Sequence, residues 1–433
     1  MDETGLRTLL DSALDGEPPL GPIAQNSLRA GIKLRRRRRV RAAAGSVAAA
    51  AALAVAIPVG IGHTPGPVTE HRAAASTVYV AYVPDAGGQG SVVPISTATS
   101  TAGTPIRVRG QFGAVAITPD GKTLYAAGRN TVVPISTATN TAGTVIRLGG
   151  EPRTPFGIAI TPDGKTAYAV GLWGTVIPIS TVTNKPGKPI RIAVRAGSLG
   201  PIVFTPDGKI AYVLHSVPQG SSMIIPINTI TNTAGKPIRV GPGAGPIVFT
   251  PDGKTAYVGG PGTVTPINTA TGRAGQPIRI GVNADQIAIT PDGKTVYVGA
   301  AGGRTGTVIP ISTATNTAGQ PIRVGVFAQE FAITPDGKTL YVSSPYGSMG
   351  VIVPISTATN TAGKPIRIGI GIGVTIAVSP DGKTLYAATV NQGLPSNTAA
   401  VNKVIPISTA TNTPGKPIRI PIRGAHPFAV ITP

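Results

Sequence analysis

The chain has 433 residues, with 38 Lys+Arg against 17 Asp+Glu, a formal net charge of +21, and no cysteine. Without cysteine the chain has no disulfide scaffold, no thiol nucleophile and no Cys-ligated zinc site. The 57 glycines and 43 prolines exclude a mainly helical fold, because both residues interrupt helices.

The N-terminal segment, residues 1–41, is basic, with nine basic and five acidic side chains. Four leucines between residues 6 and 14 recur at helical spacing and indicate a short amphipathic helix, with a solvated tail as the alternative. Residues 42–62 are 21 consecutive uncharged residues, close to the roughly 20 apolar residues of a transmembrane helix. Six arginines between residues 35 and 41 precede this segment, which predicts a cytoplasmic N-terminus by the positive-inside rule.

We therefore expect a cytoplasmic basic tail (1–41), a transmembrane helix (42–62), a linker (63–75) and an extracellular domain (76–433) of a single-pass membrane protein. A cleaved signal peptide ending at the small residues 73–75 is the alternative, and it would release a secreted domain. The region before the apolar segment is longer than in signal peptides, which total about 15–30 residues. The arginine run could bind nucleic acid, but its place beside the apolar segment favours the membrane topology.

The rest of the chain repeats itself every 40 to 45 residues, a period typical of propellers. The motif Pro-Asp-Gly-Lys occurs seven times, with its aspartates at Asp120, Asp163, Asp207, Asp252, Asp292, Asp336 and Asp381. In each repeat a first strand ends at this motif, which we expect to form a type I turn with glycine in the left-handed position. A second strand containing a tyrosine follows at once.

The third predicted strand carries Pro-Ile-Ser or Pro-Ile-Asn, and the fourth carries an arginine that always lies 13 residues after that proline. This constant spacing predicts that the hairpin between these two strands is the most rigidly specified part of each repeat. The arginines are Arg107, Arg147, Arg191, Arg239, Arg279, Arg323, Arg367 and Arg419.

The two ends of the repeat region are incomplete in complementary ways. No first strand precedes Tyr79, and nothing follows the first strand at 428–433. We expect the C-terminal strand to complete the blade that begins at Tyr79, because closing the ring leaves no unpaired end. The predicted fold is all-β: an eight-bladed β-propeller of four-stranded blades, closed by the C-terminal strand and preceded by one transmembrane helix. A seven-bladed ring is the alternative.

Residues 332–342, Ala-Ile-Thr-Pro-Asp-Gly-Lys-Thr-Leu-Tyr-Val, resemble the YVTN-type β-propeller repeat family, and the similarity extends over about residues 76–433. The chain departs from the family's namesake motif, since Tyr-Val is never followed by Thr-Asn. The resemblance implies an exported, surface-associated propeller, similar to membrane-anchored actinobacterial ones. Related propellers include lactonases and quinoprotein dehydrogenases, an analogy of fold that does not itself supply a function.

Four residues are candidates for a ligand site at a mouth of the central channel. Asp285 and Glu330 enter the first strands of consecutive repeats, His426 enters the closing strand, and Arg153 lies in a corresponding loop. Ordinary polar residues of a wet channel are the alternative interpretation. We predict no catalytic residues, metal site or cofactor, because a metal-assisted lactonase needs three or more oxygen or nitrogen ligands around one ion.

The eight repeat arginines are expected on the outer perimeter, where they either protect edge strands or attract anionic polymers of a cell envelope. Nucleic acid is disfavoured by the external location and by the scarcity of aromatic residues for base stacking. The sequence thus predicts a monomeric, non-catalytic cell-surface binding or scaffold propeller that contacts an envelope polymer or a protein partner. The alternatives are a metal-assisted hydrolase or lactonase using Asp285, Glu330 and His426, and a ligand-sensing ectodomain that signals through residues 1–41.

Overall fold

The computed structural model describes residues 77–84, 90–108, 112–149, 155–171, 174–192, 198–216, 220–300, 306–325, 327–344, 349–370, 372–390, 402–420 and 425–431. The predicted tail, transmembrane helix and linker lie outside the described residues. Within the described ranges, no helix combines the length and the hydrophobicity needed to cross a membrane.

The described strands form eight antiparallel sheets, which confirms the eight-bladed propeller. We number the blades 1 to 8 from the one that contains Thr77. The inner strands of blades 1 to 8 are Ala425–Ile431, Phe112–Ile117, Pro155–Ile160, Ser198–Phe204, Ile247–Phe249, Gln286–Ile289, Glu330–Ile333 and Ile372–Val378. The second strands are Thr77–Pro84, Thr123–Gly128, Thr166–Gly171, Ile210–Ser216, Thr255–Gly260, Thr295–Ala300, Thr339–Ser344 and Thr384–Val390.

Each blade continues outward with a third strand and an interrupted fourth strand. The third strands are Gly90–Ser96, Thr131–Ser136, Thr175–Ser180, Ser221–Asn228, Thr263–Asn268, Thr307–Ser312, Met349–Ser356 and Lys403–Ser408. The fourth begins with a two-residue segment in all blades but blade 3: Thr101–Ala102, Thr141–Ala142, Thr233–Ala234, Arg273–Ala274, Thr317–Ala318, Thr361–Ala362 and Thr413–Pro414. It resumes as the outer strands Ile106–Val108, Ile146–Arg147, Ile190–Arg191, Ile238–Pro242, Ile278–Arg279, Ile322–Arg323, Ile366–Ile370 and Ile418–Arg419.

The proline of the third strand accounts for this interruption, which the sequence did not predict. Pro94 lies opposite Tyr79 of the second strand, and its carbonyl accepts a hydrogen bond of 2.8 Å from Gly103 on the outer side. The missing proline N–H would point to the same outer side, so the fourth strand has one ladder bond fewer at this position. The same glycine bond recurs at Pro134 and Pro178.

The ring is closed by strands from opposite ends of the repeat region, as predicted. The inner strand Ala425–Ile431 pairs with the second strand Thr77–Pro84, with Val80 opposite Val430 and Ala81 opposite Ala429. Blade 1 therefore takes its inner strand from the C-terminal part of the chain and its other strands from residues 77–108.

The hydrophobic core lies between the blades, because successive side chains of a strand point to opposite faces of its sheet. Tyr79 and Ala81 of blade 1 pack against residues of blade 2, including Val115 and Leu124. Val80 and Tyr82 of the same strand pack in the other direction, against Tyr386 of blade 8. Every second strand is thus buried on both faces, which explains its continuous run of apolar residues.

A tyrosine–asparagine hydrogen bond joins neighbouring blades. The tyrosine hydroxyl of one second strand donates to an asparagine Oδ1 of the following blade, in the loop after the third strand. Burial raises the pKa of Tyr168 to about 12, so its hydroxyl stays protonated and remains a donor. Six pairs form this bond at 2.6 to 2.8 Å: Tyr79–Asn140, Tyr125–Asn184, Tyr168–Asn232, Tyr257–Asn316, Tyr297–Asn360 and Tyr341–Asn412.

The accepting asparagines all have a positive φ, between 53° and 57°, a conformation that asparagine tolerates better than most residues. Two blades have a different residue at this position. Ser100 of blade 1 has φ 52°, and Gly272 of blade 5 has φ 66°. Gly272 offers no side-chain acceptor to Tyr212 of blade 4.

We predict that Asn316→Gly lowers the free energy of unfolding by about 1 kcal/mol, because it removes one hydrogen-bond acceptor but keeps a residue suited to positive φ. Gly272→Asn should raise stability by a similar amount, by supplying the acceptor at the one junction that has glycine. Urea unfolding of both variants measures these changes, and Gly272→Ala is the control that adds a side chain without an acceptor. Equal midpoints for Asn316→Gly and the unchanged protein would contradict a stabilising role for the bond.

Candidate functional site

The two ends of the propeller differ in how their charged and polar side chains are paired. We call the end that carries the Pro-Asp-Gly-Lys turns the turn end, and the end where second strands lead into third strands the loop end. Inner strands begin at the loop end and finish at the turn end, and second strands run the opposite way. Three of the sequence-predicted channel residues, Asp285, Glu330 and His426, precede or begin inner strands and so belong to the loop end.

At the turn end the polar groups are paired in the same way in each turn. In the first turn, Thr118 Oγ1 donates to Asp120 Oδ1 at 2.6 Å, and the same Oδ1 accepts from the Lys122 N–H at 3.1 Å. These two bonds, from the threonine first, lower the pKa of Asp120. Gly121 has φ 69° and closes the type I turn onto the Thr118 carbonyl at 2.8 Å. The turn aspartates are thus structural, as the sequence predicts.

At the loop end several buried polar atoms have no hydrogen-bond partner. Among the described residues these are the hydroxyls of Tyr82, Ser222 and Ser344, both ring nitrogens of His215, and Oε1 of Gln329. Each lies at the end of a second strand, at the start of a third strand or just before an inner strand. An unpartnered buried polar group costs about 1–3 kcal/mol, so the loop end is the less stable of the two. The sequence gives no sign of His215 as a buried residue.

Glu330 binds the backbone of the next blade. It is the first residue of the inner strand of blade 7 and is buried. Its Oε2 accepts a 2.9 Å hydrogen bond from the N–H of Ile376 in blade 8, and the Thr375 side chain supplies a second bond. Ser343, which lies opposite Glu330, donates from Oγ to the Val374 carbonyl at 2.9 Å. The carboxylate therefore helps to join blades 7 and 8.

Asp285 and Glu330 do not occupy equivalent positions. The N–H of Asp285 donates to the Gly299 carbonyl at 3.0 Å, and the N–H of Gln329 makes the matching bond to Ser343. Asp285 thus corresponds to Gln329, one residue before Glu330, and successive residues of a strand point to opposite faces. Asp285 is exposed, whereas Glu330 is buried.

His426 and Arg153 are the other two predicted channel residues. The backbone of His426 lies in the closing strand, opposite Val83, and Arg153 falls outside the described residues. Over the described ranges, no group of three or more His, Cys, Asp or Glu side chains is placed to hold a metal ion.

The eight repeat arginines form a second candidate site, which we call the arginine ring. Each lies on an outer strand, opposite the residue three positions before the third-strand proline, as in the pairs Thr131–Arg147 and Thr175–Arg191. All eight side chains are exposed, and none pairs with a carboxylate of another described residue. Because the opposing residues stand at or near the start of the third strands, the ring lies at the loop end.

The turn lysines contrast with the arginine ring. Lys122 Nζ lies 3.6 Å from Asp120 Oδ2, and Lys254 Nζ lies 3.7 Å from Asp252 Oδ2. Each turn therefore carries a cation and an anion side by side, whereas the ring carries cations alone. The constant spacing of 13 residues was the sequence signal for this arrangement.

Glu330 should make stability depend on pH. Burial raises the pKa of Glu330 from 4.5 to about 7, against the lowering effect of its two hydrogen bonds. The folded protein thus holds this proton more tightly than the unfolded chain, and the stabilisation is full below pH 4.5 and lost as the pH rises through 7. Between pH 4.5 and 7 we expect the free energy of unfolding of the unchanged protein to fall by about 3 kcal/mol because of Glu330. Glu330→Gln should not show this fall.

Urea unfolding at pH 4.5 and pH 8 tests this effect. Glu330→Gln should resemble the unchanged protein at pH 4.5 and exceed it in stability at pH 8. Asp285→Asn, at an exposed position of the neighbouring blade, is the control for the loss of one acidic group at the loop end. A profile for Glu330→Gln that matches the unchanged protein would show that Glu330 titrates normally.

Comparison with known proteins supports the fold. No protein-family model matches the sequence, and no curated protein is significantly similar to it. Among solved structures, the dihydro-heme d1 dehydrogenase NirN, in complex with DHE, is 12% identical with a TM-score of 0.64, and the match covers 82% of this chain and 76% of NirN. Hydrazine synthase of Kuenenia stuttgartiensis is 18% identical with a TM-score of 0.46, over 83% of this chain and all of that chain. The likeness to NirN is one of fold, that of a β-propeller.

Proposed function

We propose that this chain is a YVTN-type, non-catalytic binding propeller of the cell surface, whose arginine ring binds an anionic polymer of the cell envelope. The observation that carries the proposal is the arginine ring itself: eight exposed arginines in one register, without a neighbouring described carboxylate. Guanidinium groups keep their charge at every physiological pH and bind phosphate and carboxylate oxygens in bidentate fashion.

The distribution of charge favours the loop end as the binding face. At the turn end the lysine and aspartate of each Pro-Asp-Gly-Lys turn cancel, so the turns add no net charge, and the exposed Lys185 and Arg273 remain without a turn aspartate. At the loop end the ring adds one uncompensated positive charge per blade. Such a field attracts polyanions over about a Debye length, roughly 8–10 Å at physiological salt.

The channel-mouth hydrolase is the weaker candidate. Of its three proposed residues, Glu330 bonds to backbone and side-chain groups of blade 8, and Asp285 lies on the opposite face of its strand position. A carboxylate engaged in this way is a poor ligand for a metal ion that must also bind substrate.

Replacing the arginines of the ring by glutamine should abolish polyanion binding. The measurement is fluorescence anisotropy of labelled polyphosphate with the full chain across a salt series, and co-sedimentation with isolated cell envelopes. For the unchanged protein we expect affinity to fall steeply with salt, because binding releases counterions from the polymer.

A matched control separates the ring from the overall charge. The seven turn lysines, replaced by glutamine, lower the net charge almost as much as the eight arginines. This control should keep most of its affinity if the ring is the contact. Equal losses of affinity in both variants would show that binding depends on net charge and not on the ring. No loss of affinity in the arginine variant would refute the proposal.

The membrane topology can be tested cleanly because the chain has no cysteine. We propose an N-terminus in the cytoplasm and the propeller outside the cell. A single cysteine at Thr139, which is exposed, should react with a membrane-impermeant maleimide in intact cells, and one at Gln25 should react only after lysis. Labelled propeller in the medium would instead indicate signal cleavage and secretion.

A further inference from the structure

We infer that the polymer bound by the arginine ring is linked by phosphate groups, as in a polyol phosphate, and is not a carboxylate-bearing glycan. This inference rests on the proposed function and concerns the same surface. The supporting observation is the set of third-strand residues that pair directly with the arginines of the outer strands.

Hydroxyl side chains stand opposite five of the eight arginines. In an antiparallel pair, directly opposed residues project to the same face with Cβ atoms about 4.5–5.5 Å apart, so each hydroxyl and the base of its arginine side chain stand side by side on the outer part of the blade. The pairs are Ser91–Arg107, Thr131–Arg147, Thr175–Arg191, Thr263–Arg279 and Thr307–Arg323. All five hydroxyl residues are half-buried and all five arginines are exposed.

A guanidinium with a neighbouring hydroxyl suits a phosphodiester. The planar guanidinium satisfies two oxygens, and the hydroxyl donates one further hydrogen bond at an angle to that plane. A tetrahedral phosphate can accept in both directions. A planar carboxylate is already satisfied by the guanidinium alone and gains less from the hydroxyl.

The described surface carries no exposed aromatic ring. In the part of the chain that the structure describes, every tyrosine is buried and no phenylalanine is exposed. The contacts that these residues offer to a polymer are therefore the charged and hydroxyl groups of the outer strands.

The pairs are unevenly distributed around the ring. Blades 1, 2 and 3 carry three consecutive pairs, and blades 5 and 6 carry two. In blades 4, 7 and 8 the opposing residues are Met223, Val351 and Lys403. The arc of blades 1–3 is the longest stretch of paired sites, and we expect it to contact the polymer most closely.

The test compares two linear polyanions, polyphosphate and polygalacturonate, by fluorescence anisotropy with the full chain. The variant combines Ser91→Ala, Thr131→Val, Thr175→Val and Thr263→Val, and leaves all arginines in place. Affinity for polyphosphate should fall about tenfold, which corresponds to 1.4 kcal/mol in total. Affinity for polygalacturonate should change less than twofold.

The matched control carries four Thr→Val changes at exposed turn-end threonines, Thr139, Thr231, Thr315 and Thr411. It should bind both polymers as the unchanged protein does. The unchanged protein provides a second measurement that needs no variant, since glycerol phosphate should compete for polyphosphate binding better than galacturonate at equal charge.

The outcomes separate this inference from the proposed function. If the hydroxyl variant loses affinity for both polymers equally or for neither, or if galacturonate competes as well as glycerol phosphate, the phosphate inference is overturned while the arginine ring stands. If the eight-arginine variant binds both polymers normally, the proposed function falls and this inference with it.

Discussion

The propeller depends on the antiparallel pairing of Ala425–Ile431 with Thr77–Pro84. Each blade packs its two faces against the neighbouring blades, so an open array would leave an apolar face uncovered at each end. The closing strand also supplies blade 1 with the inner strand that the sequence before Thr77 lacks. Within the closed ring the tyrosine–asparagine bonds join neighbouring blades.

The two ends of the propeller differ in how their polar groups are satisfied. The turn end satisfies its polar groups with the same local bonds in each turn, from the Thr118–Asp120 bond onwards. The loop end carries the arginine ring, the buried Glu330 and the unpartnered atoms of Tyr82 and His215. It is also where the chain length varies between repeats, and such loops can change without disturbing the turns.

The sequence predicted the parts of the structure that repeat. The period, the turn, the third-strand proline and the arginine 13 residues later specify blade number, strand order and register, because each is repeated and each has a local cause. Residues that depart from the repeat have no such pattern to place them. Asp285 and Glu330 look alike in the sequence, yet a shift of one residue places them on opposite faces, and only three-dimensional pairing reveals this.

The tyrosines show the same limit. Their regular occurrence predicted core packing, and the described tyrosines are buried. The asparagine that accepts from each of six hydroxyls lies 59 to 71 residues away along the chain. Local sequence carries no information on such a partner. The available signal was the asparagine that recurs in the loop after the third strand. This position has a positive φ in all eight loops, and it holds six asparagines, one serine and one glycine.

The two junctions without an asparagine lie directly across the ring from each other. Ser100 stands at the junction of blades 8 and 1, and Gly272 at that of blades 4 and 5. The remaining bonds hold blades 1–4 together as one group and blades 5–8 as another. At the first of these junctions the Thr97 side chain of blade 1 hydrogen-bonds the Tyr386 hydroxyl of blade 8, so blades 4 and 5 meet at the one described junction where glycine takes the place of the acceptor.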